Sequence, residues 1–164
     1  MGTDRTEKIG GVTLDYSRYP GEDFYCDGAA EDELLQIVKT VPKERYPEVI
    51  REKRSWEVLY HLSDLRENIV KWLPMDKGMK VLEVGSGCGA VTGCLSRKAG
   101  SVTCVDLSRK RSLINAWRHR ERDNIAIHVG NFQDIEPALD TDYDYVCLIG
   151  VFEYGQSYID TKTP

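Results

Sequence analysis

The chain has 164 residues, of which 41% are hydrophobic and 30% are charged, and its formal net charge is −5. This size and composition predict one ordinary globular domain and argue against wholesale disorder. The apolar runs fall well short of the roughly 20 residues that cross a bilayer, and the polar N-terminus lacks the apolar core of a secretion signal. The negative charge gives no general attraction to nucleic acid or anionic membranes, and five scattered cysteines predict a reducing, cytoplasmic setting.

The N-terminal part is predicted to be an extension, residues 1–54, made of a loop and a helix. Its first thirty residues are rich in Gly, Asp and Tyr, and residues 19–23 have the loop-like sequence Tyr-Pro-Gly-Glu-Asp. A helix is expected from about Ala30, because acidic residues suit its N-terminal end and an apolar stripe follows until Pro42.

The rest of the chain, residues 55–164, is predicted to be a ligand-binding domain. It opens with a helical region over residues 56–73, in which Ser63 restarts the helix. The apolar side chains of this region recur at helical spacing, and Trp56 and Trp72 are expected in the core.

From Met79 the pattern changes to short apolar strands that alternate with helices, which predicts an α/β fold with parallel strands. One helix is expected from about Ala90, with Gly100 as its left-handed cap, and the next opens at Ser108. Four strands are predicted, over Lys80–Val84, Val102–Asp106, Ile125–Val129 and Tyr143–Ile149.

The fourth strand is predicted to lie at a sheet edge, since only residues 151–164 follow it. An apolar edge strand is an association hazard. The simplest expectation is that the chain is a fragment of a longer protein and that its sheet is truncated here. The alternative is that residues 1–60 fold back and cover this edge.

A glycine-rich turn follows the first of these strands. Gly85 is expected to allow the tight turn, Gly87 the close approach of backbone to ligand, and Gly89 the contact of helix with strand. The N–H groups of the following helix are expected to face a ligand carboxylate. The competing interpretation is a turn that only closes a strand–helix connection.

Two carboxylates define the ligand that such a turn would hold. Asp106 ends the second strand, 21 positions after Gly85, where an acidic residue accepts hydrogen bonds from ribose hydroxyls, with Leu107 against the nucleoside. A helix cap that competes with Ser108 is the other interpretation of Asp106. Glu83 would repel the phosphates of a dinucleotide but would suit the sulfonium and ammonium of S-adenosylmethionine.

The sequence Glu83-x-Gly85-x-Gly87-x-Gly89 resembles the first motif of the class I S-adenosylmethionine-dependent methyltransferases. The resemblance implies a Rossmann-like doubly wound parallel sheet, here truncated after its fourth strand and preceded by a helical extension. It assigns the adenine amino group to Asn131 and a ring nitrogen to the Phe132 N–H. The cofactor-binding residues predicted in this way are Glu83, Gly85, Ser86, Gly87, Cys88, Gly89, Asp106, Leu107, Asn131, Phe132 and Gly150.

The same resemblance implies methyl transfer to a small molecule or glycan. The amine-methylating signature Asn-Pro-Pro-Tyr is absent after the fourth strand, which argues against exocyclic amines of DNA bases. Glu153 and Tyr154, just past that strand, are the candidates for a base, and the isolated fragment is expected to bind the cofactor without turnover. Residues 19–28 also resemble bacterial methyltransferase regions near or fused to glycosyltransferases, which suggests such a partner.

Three other readings of the chain stay open at this point. A non-catalytic S-adenosylmethionine-binding module and an interaction domain built on residues 1–60 are two of them. The third is an NAD(P)-binding domain, because Gly85-x-Gly87-x-x-Ala90 also satisfies a looser dinucleotide fingerprint.

Several polar residues outside this motif are interpreted as structural. The resemblance places Tyr60, His61 and Arg66 in a helix that covers the methionine end of the cofactor. Arg66 is expected on a solvated helix face, with binding of the cofactor carboxylate as the alternative. Cys88 is expected to be a small tolerated residue rather than a reactive thiol. The histidines and cysteines lack metal-ligand spacing, so no metal site is predicted. A solvated basic helix face is expected for Arg109, Lys110, Arg111, Arg118, Arg120 and Arg122.

Overall fold

A computed structural model describes residues 5–23 and 28–152 of the chain. They form a six-stranded sheet in the order β1-β2-β5-β4-β3-β6. β1 pairs with β2 antiparallel, and the four other pairings are parallel. The strands are β1 (Thr6–Ile9), β2 (Val12–Asp15), β3 (Lys80–Val84), β4 (Ser101–Asp106), β5 (Ile125–Val129) and β6 (Tyr145–Leu148).

Helices precede β3 and connect the parallel strands. The helix over Tyr46–Lys53 has no counterpart in the sequence prediction. Ser63 does separate the helix over Trp56–Leu62 from a 3₁₀ helix, and its side chain accepts a hydrogen bond from the Leu65 N–H at 3.2 Å. The α-helices are α1 (Ala29–Thr40), α2 (Tyr46–Lys53), α3 (Trp56–Leu62), α4 (Thr92–Lys98), α5 (Arg109–Arg118) and α6 (Phe132–Ile135). The 3₁₀ helices are Lys43–Arg45, Asp64–Ile69 and Glu136–Ala138.

The parallel part of the sheet has the strand order of a doubly wound fold. In the order β5-β4-β3-β6 the chain starts at β3, moves outward twice, and then reverses to the other side of β3. α4 packs on one face through Leu95, which shares a core with Val81 and Ile127. The other face packs Leu82 against Ile135 of α6. The predicted Rossmann-like α/β fold is therefore confirmed, and its topological switch point lies between β3 and β6.

An N-terminal hairpin extends this sheet, and the sequence analysis did not predict it. β2 pairs with β5, so the hairpin covers the edge opposite β6. Its turn lies against the α5–β5 connection, since a Cβ on Gly10 would come within 2.1 Å of the Arg120 carbonyl oxygen. The alternative in which residues 1–60 cover the fourth-strand edge is therefore wrong for the described part of that segment.

The β6 edge carries exposed apolar side chains. Val146 is 54% exposed and Leu148 is 37% exposed. Within residues 5–23 and 28–152, no strand pairs with the free edge of β6. In the same residues no helix combines the length and hydropathy that crossing a bilayer would need.

Gly100 is not the left-handed helix cap that was predicted. It is absent from the positive-φ glycines, and α4 is followed by Ala99 in an extended conformation. Glycine is needed at position 100 because two chain segments approach closely there. A Cβ at this position would lie 2.3 Å from the Lys77 carbonyl oxygen.

The basic residues of α5 do not form a solvated face, and that prediction is wrong. The side chain of Arg111 donates to buried Glu31 at 2.6 Å, and Lys110 pairs with Asp32 at 2.7 Å. Both acids belong to the first turn of α1. These contacts join α1 to α5, so most of the basic residues hold the N-terminal helices against α5.

Arg118 lies deepest in this interface and is only 2% exposed. Its guanidinium donates to the carbonyl oxygens of His61 at 2.5 Å and Leu62 at 3.3 Å. These carbonyls end α3, where helical backbone has no partners of its own. Arg118 therefore fixes the C-terminal end of α3 against α5.

The tryptophans predicted for the core are mostly exposed. Trp56 is 69% exposed and Trp72 is 74% exposed, whereas Val58, Leu62 and Val70 carry the buried positions of this region. The break at residue 63 changes the helical phase, so the apolar spacing in the sequence does not correspond to one continuous buried face.

Replacing Arg118 with Ala is expected to lower the free energy of unfolding by about 2–4 kcal/mol, because two buried carbonyls lose their donor. Urea denaturation measures the effect. Arg45→Ala is the control, since Arg45 is exposed and forms a surface ion pair with Glu48, three residues further along the chain. Equal, small losses for both variants would contradict the structural role, and Arg118→Met separates lost volume from lost hydrogen bonds.

Candidate functional site

The turn after β3, residues 85–89, lies at the switch point. Gly85, Gly87 and Gly89 have φ values of 71°, 52° and 75°, which L side chains rarely adopt. A Cβ on Gly89 would come within 2.3 Å of Asn115 Oδ1, so this glycine allows a contact with α5 rather than with a strand. A Cβ on Gly87 would meet nothing within 4 Å, which leaves open space beside the turn.

Asp106 holds this glycine turn from the end of the neighbouring strand. Its Oδ2 accepts from the Gly87 N–H at 2.7 Å, and its Oδ1 accepts from the Ser108 N–H at 2.9 Å. Ser108 itself caps α5 by accepting from the Arg111 N–H. Asp106 is therefore not the helix cap, and its carboxylate joins β3 to β4 where both strands end. Desolvation raises the pKa of Asp106 against these hydrogen bonds.

Glu83, the next-to-last residue of β3, is a buried carboxylate. It is 3% exposed, and its Oε2 accepts from the Thr92 hydroxyl at 2.6 Å. Burial raises its pKa to about 7, and the hydrogen bond from Thr92 opposes that shift. Near neutral pH this carboxyl group is therefore poised between its protonated and ionised forms.

A cavity of about 530 Å³ opens at this switch point. Arg111 of α5 and Trp56, Tyr60 and His61 of α3 form part of its wall. Six of the residues predicted to bind a cofactor line it, namely Glu83, Gly85, Ser86, Gly87, Cys88 and Gly150. Gly89, Asp106, Leu107, Asn131 and Phe132 do not line it, and Glu153 and Tyr154 lie outside the described residues.

Four amides of the turn are engaged within the protein. The N–H groups of Gly85 and Ser86 donate to the Val105 carbonyl, and the Gly89 N–H donates to the Ser86 carbonyl at 3.0 Å. The Gly87 N–H already donates to Asp106. These four groups hold the shape of the turn, and the expectation that N–H groups of the following helix face a ligand carboxylate stays a prediction.

Asn131 lies beside Asp106 at the carboxyl end of β5. The Gly130 N–H donates to the Asp106 carbonyl at 2.9 Å, which brings the two strand ends together. The side-chain oxygen of Asn131 accepts from the Gln133 N–H at 3.0 Å and caps α6. The structure thus gives Asn131 a local capping role next to the turn.

The resemblance placed Tyr60, His61 and Arg66 in a helix over the methionine end of the cofactor, and in the structure all three line the cavity. Arg66 was expected to be solvated, yet its guanidinium lies 4.5 Å from the centre of the Tyr60 ring. Trp56 was assigned to the core, and its place in the cavity wall was missed because its spacing in the sequence is that of a core residue.

Comparison with known proteins gives the family. Residues 81–161 match the sequence profile of a family described as "Methyltransferase domain". This segment of the chain is a methyltransferase domain. The resemblance to the class I S-adenosylmethionine-dependent methyltransferases, predicted from the glycine motif, is confirmed. No curated protein sequence matches the chain.

Solved structures similar to the chain include a phosphoethanolamine N-methyltransferase of Haemonchus contortus in complex with phosphoethanolamine and S-adenosylhomocysteine. Its identity is 18%, its TM-score 0.41, and the match covers 65% of this chain and 22% of that one. A precorrin-8w decarboxylase of Methanobacterium thermoautotrophicum is 24% identical with a TM-score of 0.44, and the match covers 49% of this chain and 45% of that one.

A third similar structure is an S-adenosylmethionine-dependent methyltransferase of Thiobacillus denitrificans in complex with S-adenosyl-L-homocysteine. It is 22% identical with a TM-score of 0.37, and the match covers 41% of this chain and 29% of that one. The chain thus spans less than half the length of each of these three proteins. With TM-scores below 0.5, the three similarities carry no argument about activity.

Other reactive side chains of the methyltransferase domain are held in inert states. Cys88 is 2% exposed, and burial raises the pKa of its thiol to about 12. Burial lowers the pKa of His119, whose Nε2 lies 2.9 Å from the Gly89 carbonyl oxygen. In the described part of the chain, no group of three or more His, Cys, Asp or Glu residues has an arrangement that could hold a metal ion.

The raised pKa of Glu83 predicts how stability depends on pH. Because the folded protein holds this proton more tightly than the unfolded chain, wild-type stability falls as pH rises from about 4.5 to 7. Glu83→Gln keeps an acceptor for Thr92 but cannot ionise. We expect this variant to match the wild type at pH 5 and to gain on the order of 2–3 kcal/mol at pH 8, measured by urea denaturation.

Glu57→Gln is the matched control. Glu57 also lines the cavity, but a hydrogen bond from Ser55 lowers its pKa, so its removal should bring no gain at high pH. A Glu83→Gln variant whose stability relative to the wild type is the same at both pH values would contradict the assignment.

Proposed function

We propose that this chain binds S-adenosylmethionine in the switch-point cavity and is the cofactor-binding part of an enzyme that methylates a small molecule or glycan. The observation that carries the proposal is the buried carboxyl group of Glu83 in the wall of that cavity, beside the glycine turn. A carboxylate there would repel the phosphates of a dinucleotide, whereas it attracts an ammonium or sulfonium. The family match of residues 81–161 supports the same activity.

The residues at the site fit this cofactor. The open space beside Gly87 is a cradle that a Cβ would fill, and a cavity of about 530 Å³ lies in the size range of ligand pockets. In the proposal Glu83 binds the cofactor ammonium and Asp106 accepts from the ribose hydroxyls. Asn131 and the Phe132 N–H bind the adenine edge, and Leu107 packs against the nucleoside.

Arg66 is proposed to bind the cofactor carboxylate. Four amides of the glycine turn are engaged within the protein, so another positive group is needed. Arg66 lines the cavity, and its positive charge acts on Glu83 in the same wall. Glu83 and Arg66 would then bind the two opposite charges of one amino-acid group.

The cofactor supplies an activated methyl group that already carries its leaving group. The protein therefore acts mainly by alignment of the acceptor and by exclusion of water. A hydroxyl acceptor also needs a base. Glu153 and Tyr154 remain candidates for that role from the sequence alone.

Several finer features belong to the same proposal. A cytoplasmic location and an associated or fused glycosyltransferase are proposed from the sequence. Self-association through β6 is proposed because Val146 and Leu148 are exposed on an unpaired edge. The division at residues 54 and 55 is proposed as the boundary between the extension and the cofactor-binding domain.

Asp106→Ala is expected to weaken binding of S-adenosylhomocysteine by about 1–3 kcal/mol, since the ribose hydroxyls lose their acceptor. Isothermal titration calorimetry measures the loss, and circular dichroism verifies that the variant is folded. Glu44→Ala, which removes an exposed acid far from the cavity, is expected to titrate like the wild type. An unchanged titration of Asp106→Ala would sink the ribose assignment, and binding of NADH but not of S-adenosylhomocysteine would sink the proposal itself.

Cofactor affinity is also expected to depend on pH. Because only ionised Glu83 attracts an ammonium, affinity for S-adenosylhomocysteine should rise between about pH 6 and 7.5, and binding should release protons. In Glu83→Gln the affinity should be lower and nearly independent of pH. Titrations in two buffers of different ionisation enthalpy measure the released protons, and equal pH profiles for both proteins would rule out this role.

A further inference from the structure

The wall of the cavity formed by α3 carries three side chains with ring systems. Trp56 and Tyr60 are four residues apart on the helix, and their ring centroids are 5.7 Å apart at an interplanar angle of 31°. The imidazole of His61 meets the Tyr60 ring edge-on, with centroids 5.0 Å apart. All three line the cavity. We refer to Trp56, Tyr60 and His61 as the aromatic wall.

The aromatic wall is exposed in a way that core packing does not require. Trp56 is 69% and Tyr60 is 40% exposed, and the Arg66 guanidinium covers part of the Tyr60 ring, so the indole of Trp56 offers most of the accessible ring surface. Trp72 is just as exposed, but it does not line the cavity, and its indole N–H donates to the Ile69 carbonyl. Aromatic surface that borders a cavity is typical of a binding site for a flat or apolar group.

The helix that carries this wall is firmly anchored. Ser55 caps its N-terminal end by accepting from the Val58 N–H, and Val58 and Leu62 are buried. Arg118 binds the carbonyl oxygens at its C-terminal end. The rings therefore project from a fixed element, which a positioned acceptor site needs.

Charged groups of both signs lie next to the aromatic wall. Arg66 and Glu57 both line the cavity, and Glu57 interacts electrostatically with His61. The guanidinium of Arg66 lies 4.5 Å from the Tyr60 ring centre and occupies the position where a bound cation would interact with that ring. A flat group without charge of its own suits the exposed indole of Trp56, and a phenolic hydroxyl adds a proton that a nearby base can remove.

One histidine is placed to take that proton. His119 is buried against Gly89, and His128 pairs with Asp15 on β2, at 3.2 Å. Among the described residues, His61 is the histidine that lines the cavity. It lies next to Tyr60 in the sequence and in space, so a ring stacked on the wall would bring its hydroxyl near the imidazole.

We infer that the aromatic wall is the acceptor subsite for a small phenolic compound and that His61 accepts the proton of its hydroxyl group. This inference rests on the proposed function and narrows its acceptor class. In the reaction the phenolic oxygen forms a bond to the methyl carbon. The carbon–sulfur bond breaks, its electron pair stays on sulfur to give the neutral thioether, and the phenolic proton moves to His61.

The test uses 4-nitrocatechol, because its phenol and phenolate forms absorb at different wavelengths. The full chain is titrated with this probe in the presence of saturating S-adenosylhomocysteine, and binding is followed by absorbance. We expect Trp56→Ala to weaken binding at least fivefold, since stacking on the indole is lost. Trp72→Ala is the matched control and should bind like the wild type.

The role of His61 is tested by a pH titration of the bound probe. In the wild type the transition from phenol to phenolate is expected at lower pH than for the free probe. In His61→Asn that transition should return toward the free value while the affinity stays within threefold. His128→Asn, at a histidine that does not line the cavity, should leave the transition unchanged.

Three outcomes would overturn the inference. These are no probe binding while S-adenosylhomocysteine binds, equal effects of the two tryptophan variants, and a methyl glycoside or tyramine that binds more tightly than the probe. Failure of S-adenosylhomocysteine to bind contradicts the proposed function instead. A titration with 4-nitrocatechol in the absence of cofactor then still tests whether the aromatic wall binds the probe, because Trp56→Ala and Trp72→Ala must differ in the same way.

Discussion

The hydrogen bond between the Asp106 carboxylate and the Gly87 N–H is the contact on which the site depends. It joins the ends of β3 and β4 at the point where the chain reverses direction across the sheet. The turn can donate this bond because Gly85, Gly87 and Gly89 all have positive φ. The N–H groups of Gly85, Ser86 and Gly89 also donate within the protein, which holds the shape of the turn. Beside Gly87 the turn leaves open space, and this space belongs to the cavity because glycine has no Cβ to fill it.

α5 also holds the N-terminal helices in place, a role that its basic composition did not indicate. Lys110, Arg111 and Arg118 bind acids and carbonyls of the N-terminal helices. The cavity consequently has two walls of different origin. The glycine turn comes from the sheet, and the aromatic residues come from α3, which Arg118 attaches to α5. Without this attachment the sheet would present only half of a binding site.

Glu83 illustrates a compromise between stability and binding. Deep burial disfavours the ionised form of this carboxyl group, so its pKa is raised. A neutral amide in the same place would make the folded protein more stable above neutral pH. In the proposed function, the positive group of the bound cofactor lies beside this carboxylate and offsets the cost of ionising it. The hydroxyl of Thr92 moderates that strain without removing it.

Local chemistry in the sequence determined the strands from β3 to β6, the glycine turn and the place of Asp106 at the end of the next strand. These features follow from short-range rules, because a strand pattern, a positive φ and a fixed spacing are all readable along the chain. The tertiary structure alone decided the pairing of the N-terminal hairpin with β5, the buried state of Arg118 and the exposure of Trp56. Each of these depends on which distant segment lies opposite a residue. A charged side chain is solvated or buried according to whether carbonyls from another helix reach it, and no spacing within α5 records that.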